Sequence, residues 1–210
     1  MTIDPRDEWS FKTHFLGIIL SIIATGYLVF SQRAEDPGRL ITFGIFGISM
    51  IALYTCSSIY HYSKGSVEKI KRLRKLDHAM IYVLIAGTYT PILFNCLPSP
   101  KNIIFLSVIW ALALAGIIMK VCWMGAPRWL STVIYVVMGW AIVFDVRALM
   151  GLPKAFLWLL VGGGLAYTIG AVFYIFKKPN LFPGFGFHEL FHVFILLGTA
   201  LHFVGIGFYI

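Results

Sequence analysis

Seven runs of mostly apolar residues, each close to the length that crosses a bilayer, constrain this chain more than any other feature. A spanning helix needs about 20 such residues. The runs cover roughly 13–31, 40–62, 76–96, 102–122, 129–147, 154–176 and 187–208. Polar or Pro/Gly-bearing breaks separate them: Gln32 to Arg39, Ser63 to Lys75, Leu97 to Lys101, Met124 to Arg128, Gly151-Leu152-Pro153, and Lys177 to Gly186. The predicted fold class is therefore an all-α integral membrane protein, a seven-transmembrane helix bundle. It forms a single domain, 1–210, with 1–12 as a short N-terminal segment. Composition agrees: 59% of the 210 residues are hydrophobic, 12% are charged, and mean hydropathy is +0.84. No soluble domain of this length buries so much apolar surface, so the bilayer is the expected solvent. The net charge of +8 would suggest nucleic acid in a soluble protein; in a membrane protein it reports topology, and no nucleic-acid partner is expected. Cys56, Cys96 and Cys122 are odd in number and lie far apart in apolar stretches, as packing residues rather than a disulfide framework. No cleavable leader is expected, because the first twelve residues are polar and no small-residue cleavage pattern follows the first apolar run.

Orientation follows from the basic residues. With seven spans, one side takes Arg6, Lys12, the run Lys64 to Lys75, Lys120, Arg128, Lys177 and Lys178, which is 12 of the 17. The other side takes Arg33, Arg39, Lys101, Arg147 and Lys154. The positive-inside rule puts the N-terminus in the cytoplasm and the C-terminus outside.

That topology gathers polar residues at one depth. Span 2 ends with Ser57 and His61, span 3 opens with Asp77 and His78, and span 7 opens with His188 and His192. All fall in the inner leaflet on three different helices. His188 and His192, four apart in His188-Glu189-Leu190-Phe191-His192, stack on one helix face and can share a metal ion. Their plain alternative is a pair of interfacial histidines bonded to headgroups; ionisable residues inside a membrane favour the functional reading. Imidazole ligands suit Zn2+, and a catalytic zinc keeps three protein ligands and one open position. His61 is the third candidate by depth, whereas His202 lies about 21 Å along the helix from His188 at 1.5 Å per residue. Ser57, one turn before His61, either supports a ligand or bound water, or bonds its own i−4 carbonyl. Asp77 is either a helix N-terminal acid favoured by the macrodipole or an acceptor and general base. His78, about 100° around from Asp77, is left out of the ligand set.

Glu189 would be the general base of a soluble metalloprotease with this motif, which makes an intramembrane metalloprotease a minor reading. The basic stretch 64–75 reads as a solvated cytoplasmic loop that can also attract anionic headgroups. Gly162-Gly163-Gly164 and Gly44/Gly47 read as sites of close helix packing, Pro91 as a kink, and Trp9, Trp123, Trp129 and Trp158 as an interfacial belt.

With these elements in place, the chain resembles a bacterial haemolysin III-type member of the progestin and adipoQ receptor family, over essentially its whole length. Ser57-Ser58-Ile59-Tyr60-His61 carries the resemblance, with Leu76-Asp77-His78 leading to Ala86-Gly87-Thr88-Tyr89-Thr90-Pro91. So does His188-Glu189-Leu190-Phe191-His192, followed by Gly198 and His202-Phe203. Near the N-terminus Glu8 and Thr13-His14 fit, while Ser10 stands where the family pattern has asparagine. The resemblance implies seven helices and a zinc ion near the cytoplasmic face, held by His61, His188 and His192. It places Asp77 and Ser57 close to the bound water. It further implies, through relatives that resemble ceramidases, a zinc-dependent hydrolase of a membrane lipid amide or ester, with substrate drawn from the inner leaflet of the bacterial plasma membrane. The alternatives are a non-catalytic sensor of membrane state with structural zinc, and the lytic activity that the family name suggests.

Overall fold

The computed structural model describes residues 5–31, 36–123, 125, 127–145 and 149–210. Arg33 and Arg147, counted above for orientation, lie outside them, as do Gln32 and Met124 of the predicted breaks. Seven α-helices are described: α1 Pro5–Ser31, α2 Pro37–Tyr62, α3 Val67–Cys96, α4 Lys101–Cys122, α5 Arg128–Gly139, α6 Lys154–Phe176 and α7 Phe187–Tyr209. Six of them are long and apolar enough to cross a membrane; α5 is not. Large apolar side chains such as Phe30, Phe176 and Trp158 stand exposed on the outside, which only a lipid solvent tolerates in such number. The protein is a multi-pass membrane protein.

Local chemistry sets the helix ends. Asp36 caps α2 by accepting from the Gly38 N–H at 2.8 Å, with Pro37 at the first helical position. Ser66 caps α3, accepting from the Lys69 N–H, and Glu68 supplies the acid of the first turn. As a result α3 starts nine residues before the apolar run does, and most of the basic stretch 64–75 is helix, not loop. A hydropathy window sees only the part of a helix that lies in lipid. The same holds for α1, which begins at Pro5 rather than at residue 13. Asp77 is therefore the eleventh residue of α3, and the macrodipole account of it fails.

The expected fifth span, 129–147, is the other departure. Helix α5 stops at Gly139 after 12 residues, about 18 Å at 1.5 Å per residue. A 3-10 turn, Ala141–Phe144, follows. Backbone groups freed within a membrane must find partners inside the protein. The Tyr89 hydroxyl of α3 supplies them, donating to the Gly139 carbonyl at 2.8 Å and accepting from the Ile142 N–H at 3.0 Å. Trp140 Nε1 also donates to Thr168 of α6 at 2.9 Å.

Consecutive helices pack side by side, and α1 closes the bundle against α7. Helix α3 is the inner helix, touching α2, α4, α5 and α7, and Ala86 to Leu93 is buried without interruption. It divides the core in two: Phe43, Phe46, Met50 and Tyr54 pack with Ile195 and Ile206 on one side. Tyr82, Tyr89, Leu93, Ile109 and Met138 pack on the other. Close approach at Gly163 is real, since a Cβ there would overlap the His202 ring; Gly44 has open space around it and serves no such contact. Helix α3 runs through Pro91 without interruption, and Asn95 Nδ2 donates to the Pro91 carbonyl at 2.7 Å.

Candidate metal centre

The alternation of short-linked helices puts the end of α2 beside the starts of α3 and α7. His61 is in the last turn of α2, and His188 and His192 occupy the first two turns of α7. Their ring nitrogens lie within 4.8 Å of one another and form a group that could bind a metal ion. His61 Nε2 and His188 Nε2 are 3.3 Å apart. Two ligand atoms about 2.05 Å from a tetrahedral ion would be separated by about 3.3 Å. The spacing therefore fits a shared ion.

Two of the three rings are also turned the right way. His61 Nδ1 donates to Asp7 Oδ1 at 3.2 Å, and His192 Nδ1 donates to the Ser10 carbonyl at 3.2 Å, with Thr13 Oγ1 3.3 Å from the same nitrogen. A carbonyl and a carboxylate can only accept here, so Nδ1 carries the proton in both rings and Nε2 presents a lone pair. His14 lies flat against His192 and edge-on to Tyr54; it is buried, and neither of its ring nitrogens has a hydrogen-bond partner among the described residues. Asp7, Ser10 and His14 belong to α1, at positions i, i+3 and i+7. That polar stripe on one helical face is the signal that would have found them, had residues 5–12 been read as helix.

Glu189 is fully buried, and both its oxygens are committed. Oε2 accepts from the Gly186 N–H at 2.7 Å, which fixes the start of α7, and Oε1 accepts from the Ser10 hydroxyl at 2.8 Å. It ties α7 to α1. That structural use weighs against a protease in which Glu189 handles the proton.

Ser57 is 1% exposed, and its hydroxyl has no partner among the described residues. The back-bond to its own i−4 carbonyl is absent, although Thr25, Thr88 and Thr90 all make that bond. Asp77 stands outside the three-histidine group. Its Oδ2 lies 3.5 Å from His78 Nδ1, which itself donates to the Arg74 carbonyl at 2.8 Å. His78 is thus a neighbour of Asp77, not a member of the three-histidine group.

Ser57, Asp77, His188 and His192 line one cavity with an empty volume of about 1740 Å³, open space at its mouth included. Its far wall is apolar and aromatic, with Ile92, Trp140, Ile142 and Leu160, and His202 lies there, its Nε2 3.2 Å from the Leu160 carbonyl. The arrangement offers a metal ion on one wall, a free hydroxyl and a carboxylate nearby, and room for a hydrocarbon chain beyond.

The sequence has relatives among known proteins. Residues 6–203 match the family model described as haemolysin-III related. The chain is 38% identical to the hemolysin-3 homolog of Bacillus subtilis, over 94% of this chain and 91% of that one. It is 36% identical to hemolysin-3 of Bacillus cereus, over 94% and 89%. It is also 26% identical to the human monocyte to macrophage differentiation factor, over 94% and 82%. A family match across nearly the whole chain, with bacterial relatives above one-third identity, places this protein in the haemolysin III family.

Proposed function

We propose that the protein is a zinc-dependent hydrolase of a membrane lipid amide or ester. In this reading it sits in the bacterial inner membrane as one seven-span domain, N-terminus cytoplasmic, with α5 and its 3-10 turn as the short span. The observation that carries the reading is the convergence of three histidines, with the unpartnered Ser57 hydroxyl and Asp77 on the wall of an apolar cavity. The donor set, all imidazole with Nε2 unprotonated on His61 and His192, suits zinc better than a hard cation. His61, His188 and His192 would hold the ion. Bound zinc supplies a Lewis acid for a carbonyl and lowers the pKa of a bound water.

The chain's own residues do the rest. Asp7 and the Ser10 carbonyl hold two imidazoles in the ligating tautomer. Asp77 accepts a proton from the attacking water and returns it to the leaving group. The Ser57 hydroxyl orients that water or donates to the developing oxyanion. The cavity wall excludes bulk water and holds the acyl chain.

The test is turnover by purified protein on a panel of lipid amides and esters, wild type beside Asp77→Asn, with zinc content measured in both. Turnover lost in the variant with zinc retained supports the hydrolase. A second reading, a membrane-state sensor with structural zinc, draws on the way the histidine group joins α2 to α7 while α1 orients it. It is favoured if neither protein turns over any lipid and the variant signals normally. The lysis stated in the name of the Bacillus cereus relative ranks third, because so apolar a bundle suits a resident membrane protein; dye release from liposomes that ignores His61→Ala would favour it.

A further inference from the structure

The cavity has a second polar feature that the hydrolytic machinery does not use. Arg74 and Lys75 of α3, Lys120 of α4 and Arg128 of α5 all line it, and Asp77 is the one carboxylate among the described residues that line it. These cations sit at the starts of α3 and α5 and the end of α4, the same end of the bundle as the histidines. They differ from the basic residues that need only a topological explanation. Lys64, Lys69, Lys71 and Arg72 are exposed, whereas Lys120 is 8% exposed and faces the cavity.

None of the four forms an ion pair with a carboxylate among the described residues. Lys75 Nζ is occupied at the end of α4, donating to the Val121 carbonyl at 2.7 Å. No carboxylate among the described residues pairs with Arg74, Lys120 or Arg128. The Arg128 guanidinium lies over the Tyr174 ring, 5.7 Å from its centroid. A buried ammonium beside a like charge is costly unless something negative is brought to it. Three cations from three helices on the wall of one cavity suit a tetrahedral group with more than one negative charge, which guanidinium forks and an ammonium can bind. The apolar interior behind them suits a hydrocarbon chain.

We propose that Arg74, Lys120 and Arg128 form a subsite for a phosphate group, presented by the headgroup of an anionic membrane lipid whose acyl chain enters the cavity. The fate of that lipid rests on the hydrolase reading; its binding does not.

The experiment measures binding to the full chain in a neutral detergent. Probes are a fluorescent short-chain phosphatidic acid, the matching phosphatidylcholine and inorganic phosphate. Wild type is compared with Lys120→Met, Arg128→Gln and, as an exposed control, Lys71→Gln. Phosphatidic acid is expected to bind in preference to phosphatidylcholine, and Lys120→Met and Arg128→Gln each to weaken it about tenfold, the loss of one charge-assisted contact. Lys71→Gln is expected to change nothing, and Lys120→Met not to lower the melting temperature of the unliganded protein. Equal weakening by Lys71→Gln and Lys120→Met would reveal diffuse attraction to a basic surface and overturn the subsite, as would indifference to all three variants. Tighter binding of inorganic phosphate than of phosphatidic acid, with the same dependence on Lys120, keeps the subsite and identifies its ligand as a soluble phosphate compound. Phosphatidic acid binding without turnover of any lipid refutes the hydrolase alone. Turnover without phosphatidic acid binding refutes the subsite alone.

Discussion

The imidazole of His14 stacks on that of His192 with ring centroids 3.7 Å apart and planes 8° from parallel. A ring on the first helix thus fixes the plane of a metal-ligand candidate on the last. Outer contacts that orient a ligand ring tune metal affinity. His14→Ala is expected to weaken metal binding about tenfold, while His14→Phe, which keeps a flat ring, largely preserves it. Titration with a chelator of known affinity distinguishes the two variants.

The three-histidine group makes a sharper demand. Wild-type protein purified in detergent is expected to hold about one zinc per chain, the stoichiometry of a single tetrahedral site. His188→Ala/His192→Ala is expected to hold none. Chelation of the wild type should lower its melting temperature, because an ion that binds only the folded state stabilises it, and the double variant should show no such response. Zinc retained by the double variant would place the metal elsewhere.

Asp7 sits outside the ligand set but holds His61 by its Nδ1–H. Asp7→Ala is expected to lower zinc affinity by about 10- to 100-fold, the usual cost of losing such a partner. Asp7→Asn, which still offers an acceptor oxygen, should fall between. Elemental analysis after dialysis against graded chelator reads the order.

The Ser10–Glu189 contact predicts a loss of stability, not of chemistry. Ser10→Ala removes the donor to Glu189 Oε1 and strands a buried carboxylate oxygen, at a cost of about 1–3 kcal/mol. The melting temperature in detergent should fall. If turnover is found, the rate at low temperature should change little, which would separate this residue from Asp77.

Tyr89 predicts a similar loss at the far end of the cavity. Tyr89→Phe leaves the Gly139 carbonyl and the Ile142 N–H without their partner, each worth about 1–3 kcal/mol when buried and unmet. Thermal unfolding with the zinc site intact would show a lowered midpoint. Hydrogen exchange should rise first at residues 139–144.

What could be read in the amino-acid order depended on how local the cause was. His188 and His192 were legible because a four-residue step is one helical turn, and His61 because topology sets depth. Asp7 and Ser10 were not, since the charges around them end an apolar window well before they end the helix. Asp77 looked like a helix-start acid for the same reason, until Ser66 and Glu68 proved to hold that place. The stop at Gly139 left no local trace at all. Residues 129–144 are apolar enough to continue as helix, and the phenol that rewards stopping is 50 residues away in sequence.

The contacts of α1 with His61 and His192 also bear on how such a protein is made. Translation delivers Asp7 and Ser10 first, His61 next, and the last two imidazoles only when α7 emerges. No partial chain lacking α7 holds more than one of the three nitrogens. On the proposed reading, metal uptake would date the moment at which α2 and α7 meet, and a metal-loaded fraction would count the molecules whose three-histidine group has assembled.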